Sequence, residues 1–517
     1  MSNVTLEINR NNYKIYPYKK SKWNRELRVA EGTAPALDDG FCIWDNFRGR
    51  PVKRDILKLY DKKTSTLYIP RGVDLKWIER KLYDFDVFYE KIDNTETYNL
   101  PRSKSIQIDD KFVIRDRFQA ESIEFLTFEN LFHLRMLALA TGIGKTYCAI
   151  ISAFRLKMPI LIISETLIDQ WCERIYEYTA GTCNTNNKEA VILRGTDNVL
   201  KVLDRPKENL DTMFYISTSS TMSNVIENYG YDKLNEIAAH LGIGILCFDE
   251  FHTNWYKNVK IDMAIQSKYT WYLTATPDRS NREEQKLFNK LMDKIPMYGR
   301  ETFTVHDTIN LRLIDYNTFP NEYEVRKCYT SKGLSAILYW NYIFENHNRI
   351  VYLLGMVKML LDQLNDYDQE GKILIYLAKL DHIDKFIDVL ERLYNKEERD
   401  VDFGNYTTTI EKQRKRYEIR KKVIFTTIKS GGVGLDVSNL IAIFCLVPYS
   451  SHVIATQMIG RLRFIEDREI FYYDFIDEGF RAMSDQREKR LIIFDQKSRN
   501  KKHRHISNKE VLEYLKS

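Results

Sequence analysis

Cysteine is scarce in this chain, and what there is lies scattered. The seven cysteines stand at positions 42, 148, 172, 183, 247, 328 and 445, an odd number with no C-x-x-C pair. This argues against a disulfide framework or a paired-cysteine zinc site, and makes a reducing, cytoplasmic setting the expectation. Cys148 and Cys247 fall in apolar runs and read as small core residues rather than nucleophiles. No stretch approaches the roughly 20 uninterrupted apolar residues of a membrane span, so no membrane partner is expected. The first residues, Met1-Ser2-Asn3-Val4, carry no secretory pattern. Internal repeats and low-complexity linkers are missing too. Charge of one sign is also lacking: 78 basic residues face 72 acidic ones, for a net +6. That balance excludes a passive basic coat for nucleic acid, and the partner must be read from motifs instead. The chain is long, at 517 residues with 44% hydrophobic content, which suffices for about three domains with proper cores.

The most informative stretch is residues 138–147, Ala-Leu-Ala-Thr-Gly-Ile-Gly-Lys-Thr-Tyr. An apolar run (136–139) precedes it, and a helical pattern follows through Cys148, Ala149, Ile150, Ala153 and Phe154. This is the strand–loop–helix setting of a phosphate-binding loop. Gly142 and Gly144 let the backbone curl so that N–H groups, including those of Thr141 and Ile143, face phosphate. The helix start adds its positive end. Lys145 then reaches the β/γ-phosphates of ATP, and the Thr146 hydroxyl holds Mg²⁺. The first glycine of the full G-x-x-x-x-G-K-[ST] pattern is replaced by Leu139.

A second apolar strand, 243–248, runs into Asp249-Glu250-Phe251-His252. Paired carboxylates at a strand's end suit a Mg·ATP site, with Asp249 on the metal and Glu250 polarising the attacking water as general base. The separation from the loop, about 100 residues, suits two strands of one nucleotide-binding sheet. A third strand, 269–273, ends in Thr274-Ala275-Thr276-Pro277, whose hydroxyls would lie beside the acidic pair and relay the γ-phosphate state. Such residues are otherwise ordinary turn formers.

In order, Arg117-Phe118-Gln119, residues 140–146, Asp249-Glu250-Phe251-His252 and Thr274-Ala275-Thr276 are followed by two further blocks. Residues 426–436 (Thr-Thr-Ile-Lys-Ser-Gly-Gly-Val-Gly-Leu-Asp) look like motif V, and Gln457-Met458-Ile459-Gly460-Arg461 looks like motif VI. The set resembles superfamily 2 helicases and translocases. Phe251 in the acidic box and the upstream Arg-Phe-Gln look most like phage-encoded branch-migration and recombination helicases of the UvsW/RecG kind. The resemblance implies an α/β chain with two RecA-like parallel-sheet motor domains, the nucleotide lying between them. It implies that Gln119, with Arg117 or Phe118, holds adenine, that Asp436 or its neighbours contact ribose, and that Arg461 is an arginine finger. The family's second arginine stands three residues after the first. Here that place is Phe464, and Arg463 comes one residue early, which on a helix turns the side chain by about 100°. Either the local helix is altered or Arg461 acts alone, with Arg463 in doubt.

Residues 1–105 carry none of these motifs. Short β-like runs and a helical pattern at Leu75, Trp77, Ile78 and Leu82 predict a small α+β accessory domain. Its Lys19, Lys20, Lys22, Trp23 and Arg25, and its Trp44, Phe47, Arg48, Arg50 and Arg54, can grip phosphates and stack on bases, or form a solvated basic face over an aromatic core. Residues 106–300 and 301–517 are the two expected motor domains. By resemblance the nucleic-acid track runs over Gln170, Thr218 and Ser219 in the first and Thr426, Thr427, Lys429 and Ser430 in the second. Backbone contacts of this kind make binding sequence-independent and salt-dependent. The tail 497–505 reads as a frayed, solvated charge run. The function expected is ATP-dependent unwinding or remodelling of forked or branched DNA in replication, recombination or repair, by a monomer. The alternatives are a restriction or defence-type duplex translocase subunit, for which no nuclease signature is found, and an RNA helicase, against which the Asp-Glu-Phe-His box stands.

Overall fold

Apolar runs of four to six residues bounded by turn signals become parallel strands buried on both faces, since only helices covering each face can shield so little polarity. In the first half of the chain these are Leu134–Ala138, Ile160–Ile163, Phe214–Ser217, Ile245–Phe248 and Tyr269–Thr274, every residue of which is buried. The computed structural model describes the chain apart from residues 1–3, 19–21, 24–29, 32–36, 38–40, 48–49, 85–86, 130–132, 140–142, 166, 187–188, 207–211, 276–281, 301–308, 332, 369, 396–400, 408–409, 432–434, 436, 463–464, 466–467 and 517. Two compact units are present, Met1–Thr302 and Phe303–Ser517.

The first unit holds a seven-stranded sheet in the order Ala190–Leu193, Phe214–Ser217, Ile160–Ile163, Ile245–Phe248, Tyr269–Thr274, Leu134–Ala138, Met297–Tyr298. All its pairings are parallel. The strand before the phosphate loop and the strand before the acidic box therefore flank Tyr269–Thr274, and all three end on the same edge. The second unit repeats the plan: Phe403–Tyr406, Val423–Thr427, Lys372–Leu377, Leu440–Cys445, Ile470–Asp477, Ile309–Tyr316, Ser498–His505, again all parallel.

The tail is not frayed. Ser498–His505 is a strand added to the outer edge of the second sheet beside Ile309–Tyr316. Its sequence has no apolar residue to bury, so no hydrophobic period announces it. It is held by the backbone ladder and by His503 on Asp315.

Within the first unit, the N-terminal region forms a five-stranded sheet, Tyr60–Asp61, Thr66–Pro70, Asn12–Tyr16, Val4–Asn9, Tyr89–Asn94, with the helix Leu75–Asp84. Two ribbons accompany it, Lys22–Trp23 with Ala30–Glu31 and Ile43–Phe47 with Arg50–Arg54. Lys22, Trp23, Trp44, Phe47, Arg50 and Arg54 lie on these ribbons, while Lys19, Lys20, Arg25 and Arg48 lie outside the described residues. The region shares one core with the motor sheet: Leu67, Ile69, Ile78 and Leu82 belong to the same cluster as Val259, Met263, Leu291 and Ile295. Tyr68 stacks on Tyr231 with centroids 4.2 Å apart. Lys290 lies 3.6 Å over the Trp77 ring.

A buried polar knot ties the two parts. Asn11 Nδ2 donates to Asp262 Oδ1 at 3.1 Å, Asn11 Oδ1 lies 2.9 Å from His133 Nε2, and Tyr272 donates to Asp262 Oδ2 at 2.8 Å. Burial pushes the Asp262 carboxyl up to about 7 from 3.8. An acid with a raised folded value keeps a proton that the unfolded chain has released, so between those two values stability falls as pH rises. One such group contributes a slope of at most about 1.4 kcal/mol per pH unit. Asp262→Asn mimics the neutral acid. Its urea midpoint should decline less than that of the parent between pH 5 and 7, and equal declines would show that Asp262 is ionised throughout.

Candidate nucleotide site and nucleic-acid face

The helix Lys145–Leu156 starts without a side-chain cap, so its first N–H groups stay available to an anion. Gly144 at its N-cap has φ +107°, a left-handed conformation that favours glycine. A Cβ there would lie 2.7 Å from Gln119 Nε2. Lys145 is buried, and its Nζ donates to Leu139 O at 3.1 Å, across the loop. Gln119 braces the same loop: its Nε2 donates to Ile143 O at 2.8 Å, and its Oε1 accepts from Arg115 N at 2.9 Å. The Arg115 guanidinium adds a second bond to Ile143 O at 3.1 Å. Arg117 is exposed and pairs with Glu121 at 2.5 Å. Thr146 is half-buried on the helix, while Thr141 and Gly142 lie outside the described residues.

Across the sheet edge, Asp249 is buried and both its oxygens accept hydrogen bonds, from Trp171 Nε1 at 2.7 Å and from Glu250 N at 3.0 Å. Burial, then the neighbouring Glu250, push its carboxyl upward, while Trp171 and the positive charge of Lys145 oppose the rise. Glu250 sits in a left-handed turn at φ +46°, a conformation that persists in a non-glycine residue only when its surroundings enforce it. Phe251 supplies that enforcement. It is fully buried, its N–H donates to Leu273 O at 2.9 Å, and its ring meets Tyr272 at 4.5 Å and Phe288 at 6.1 Å. Glu250 Oε2 is buried with no hydrogen-bond partner. His252 Nδ1 stands 3.3 Å from that oxygen and 3.1 Å from Thr274 Oγ1, which places the acidic box and the Thr274 strand end in one contact.

These residues suit a magnesium-bound nucleoside triphosphate. The uncapped helix start, the Lys145 ammonium with a single carbonyl partner, and the Glu250 oxygen without a hydrogen bond have capacity that Mg²⁺, phosphate or an attacking water would fill. Among the described residues no group of three or more His, Cys, Asp or Glu is placed to hold a metal ion.

At the expected nucleic-acid track several hydroxyls are engaged in bonds within the fold. Thr218 caps the helix Ser219–Tyr229 by accepting from Thr221 N at 3.0 Å. Ser219 is buried and donates to Glu165 Oε2 at 2.6 Å, and Ser220 donates to Glu165 Oε1 at 2.7 Å. Lys257 Nζ joins them by donating to Ser220 Oγ at 3.0 Å. Glu165 thus clasps two strand ends. Nothing in the sequence alone assigns Glu165 this role, because an acid after a strand resembles any turn residue. Gln170 is half-buried with Oε1 unsatisfied. The bond of its neighbour Trp171 to Asp249 joins residues 78 positions apart and needs the fold to appear.

In the second unit, Thr426 is buried and donates to Tyr406 O at 2.8 Å, and Thr427 Oγ1 accepts from Ser430 N at 3.2 Å. Their hydroxyls serve the local turn, whereas Lys429 is exposed. The helix His452–Ile459 ends at Gly460, before either arginine, so rotation about a helix does not decide between Arg461 and Arg463. Arg461 donates to Leu435 O and leaves Nε buried without a partner. Arg463 and Asp436 lie outside the described residues.

Residues 113–279 match a family described as type III restriction enzyme, res subunit. The chain is similar in structure to Mss116p (NTE and C-tail double deletion) bound to ssRNA and AMP-PNP, at 14% identity and a TM-score of 0.50, over 81% of this chain and 84% of that one. It is also similar to S. cerevisiae Dbp5 bound to RNA and ADP BeF3 (14%, 0.48, 78% and 93%) and to T4 UvsW (14%, 0.34, 98% and 100%). No curated protein sequence matches it. The two seven-stranded sheets are RecA-like domains.

Gly144→Ala should strain the loop by about 1–3 kcal/mol and push Gln119 off Ile143. Titration with a fluorescent ATP analogue should show no binding by a chain that still unfolds cooperatively. Unchanged affinity would mean the loop does not hold nucleotide.

Proposed function

We infer that this chain, an ATP-hydrolysing helicase of superfamily 2, acts on forked or branched DNA. The observation that supports an active motor is the single sheet edge carrying Lys145, Asp249 and the unsatisfied Glu250 carboxylate. The Asp-Glu-Phe-His box, with the accessory region built into the first unit's core, favours DNA. The second reading is a duplex translocase that moves without separating strands, which the restriction-subunit family match over residues 113–279 favours.

In the proposed site, the loop N–H groups and Lys145 take the β/γ-phosphates, and Gln119 and Arg117 face adenine. Thr146 and Asp249 would hold Mg²⁺, which when bound neutralises charge on the phosphate oxygens. Glu250 accepts the proton of the attacking water, with His252 beside it to hold the carboxylate toward Thr274. Arg461 is the finger, after exchanging its bond to Leu435 O for a phosphoryl oxygen. Arg463 is kept as its second, and Asp436 as the ribose contact. Such a finger contributes about 10³–10⁵ in rate in other phosphoryl-transfer enzymes. At the nucleic-acid face, the buried hydroxyls of Ser219, Thr426, Thr427 and Ser430 shape their turns. Backbone N–H groups at those turns, with Thr218, Gln170 and Lys429, touch phosphate and sugar. Such contacts carry no base information.

ATP hydrolysis measured with no nucleic acid, single-stranded DNA, forked DNA and RNA tests the reading. Forked DNA should stimulate most, and stimulation by RNA alone would overturn it. Stimulation by duplex without strand separation would select the translocase. Lys145→Ala should abolish turnover. Glu250→Gln should bind ATP but hydrolyse it very slowly, and failure to bind nucleotide there would make Glu250 structural. Arg461→Ala should lower kcat far more than it raises KM for ATP.

A further inference from the structure

The strand Ser498–His505 reads Ser-Arg-Asn-Lys-Lys-His-Arg-His, and residues 499–505 are all exposed. A strand with neither face covered and one edge open is unusual, and its two faces differ. On one face the cations are matched: Lys501 pairs with Asp495 at 2.7 Å, His503 with Asp315, and His505 with Glu478 at 3.3 Å. On the other face, Lys502 is the in-register partner of Arg312, and Arg312 is the partner of Tyr473. Cα partners in a sheet project to the same side, so two cations stand directly opposite, an arrangement that destabilises the pairing. Neither has an acidic partner among the described residues; Arg312 lies 5.2 Å over the Phe471 ring instead. The buried Tyr473 phenol beside them, pushed up to about 12 by burial, is held back by the positive charge of Arg312 and then Arg504. On this same face Arg504 is matched by Glu510, which leaves Arg312 and Lys502 as two facing cations with no acid between them among the described residues.

At the carboxyl end of the neighbouring strand, Phe319 is 78% exposed at φ +51°. For a bulky side chain that conformation is an outlier. Asp477 enforces it by accepting from Thr318 N at 3.1 Å and Gly479 N at 3.0 Å, with Tyr339 OH at 3.2 Å on its other oxygen. A strained, pinned loop thus holds an aromatic ring in water.

We propose that this sheet edge is a nucleic-acid surface additional to the motif track, with phosphates on Arg312 and Lys502 and a base stacked on Phe319. The proposal rests on the nucleic-acid reading above. Lysine on an edge strand also guards against edge-to-edge aggregation, but that role does not need a second cation, Arg312, set directly opposite it.

Lys502→Glu separates the two roles, because it sets an acid opposite Arg312. Its unfolding temperature should not fall. Its affinity for fluorescent single-stranded and forked DNA should drop, and the slope of log K against log salt should become shallower by about 0.7–0.9, the share of one phosphate no longer neutralised. Phe319→Ala, which keeps a Cβ at the same left-handed position and removes only the exposed ring, should keep stability yet weaken single-strand binding by roughly 5- to 100-fold. An unchanged slope in Lys502→Glu, with wild-type chain binding DNA normally, would overturn the proposal and leave edge protection as the strand's role. If wild-type chain bound no DNA and only RNA, the DNA reading would fail, and the same slope measured on RNA would decide this surface. Lower stability together with lower affinity in both variants would make the edge structural.

Discussion

A parallel strand buried on both faces has no place for a working polar group except at its ends. That constraint organises the first unit. Leu134–Ala138, Tyr269–Thr274 and Ile245–Phe248 are buried throughout and mostly apolar, their interior polar residues Arg135 and Thr270 being tied up in bonds within the fold, and the site's polar groups gather where each strand stops. Lys145, Thr274 and the Asp249–Glu250 pair come from segments far apart in the chain, and they meet because their strands are neighbours in one sheet with a common direction. The packing that excludes water from the strands also excludes it from Asp249. Desolvation raises the cost of its charge, and Trp171 and Lys145 offset part of that cost. The acidic box is tense in a second sense: Glu250 is held in a left-handed turn by Phe251, an aromatic anchor with no polar role of its own. Core packing and site geometry are the same interaction seen from two sides.

The strands were legible because four or more consecutive apolar residues between turn formers leave few other readings. Lys372–Leu377 is such a strand, and the helix Leu380–Asn395 shows the helical period in Ile383, Phe386, Leu390 and Tyr394, all buried. The motif blocks were legible because glycine, lysine and paired carboxylates at strand ends carry strong chemical constraints. What escaped was the use of each polar atom. A serine or threonine after a strand can face a ligand or satisfy its own turn, and only the fold shows Ser219 bound to Glu165 and Thr426 bound to Tyr406. At Arg461 the two alternatives left by spacing turn on where the helix ends, and it stops at Ile459, before either arginine.

The C-terminal strand shows the limit of hydrophobic periodicity as a signal. Ser498–His505 has the composition of a disordered tail, yet it extends a sheet. Its neighbour Ile309–Tyr316 is anchored by Arg487, which bonds to both Asp315 and Asp474, while Arg490 takes the remaining Asp474 lone pairs. Charges buried in this way destabilise strongly if left unpaired, so the network fixes the positions of its members closely. Asp315 then presents one oxygen outward to His503. The edge strand is specified from beneath, by buried ion pairs, rather than by apolar side chains of its own.

The same logic bears on the N-terminal region. Gly72 abuts the helix Arg282–Met292, where a Cβ would come within 2.1 Å of Leu291 O, and Lys294 N donates to Gly72 O at 3.1 Å. Arg10 donates to Ser267 O at 3.1 Å and Lys268 O at 2.8 Å, immediately before the strand that ends in Thr274. With Asn11 on Asp262, the region is bound to the segments that carry the acidic box and its neighbour. The five-stranded sheet and the motor sheet of the first unit are therefore one packed body, joined by a common core and by polar bonds rather than by a flexible tether.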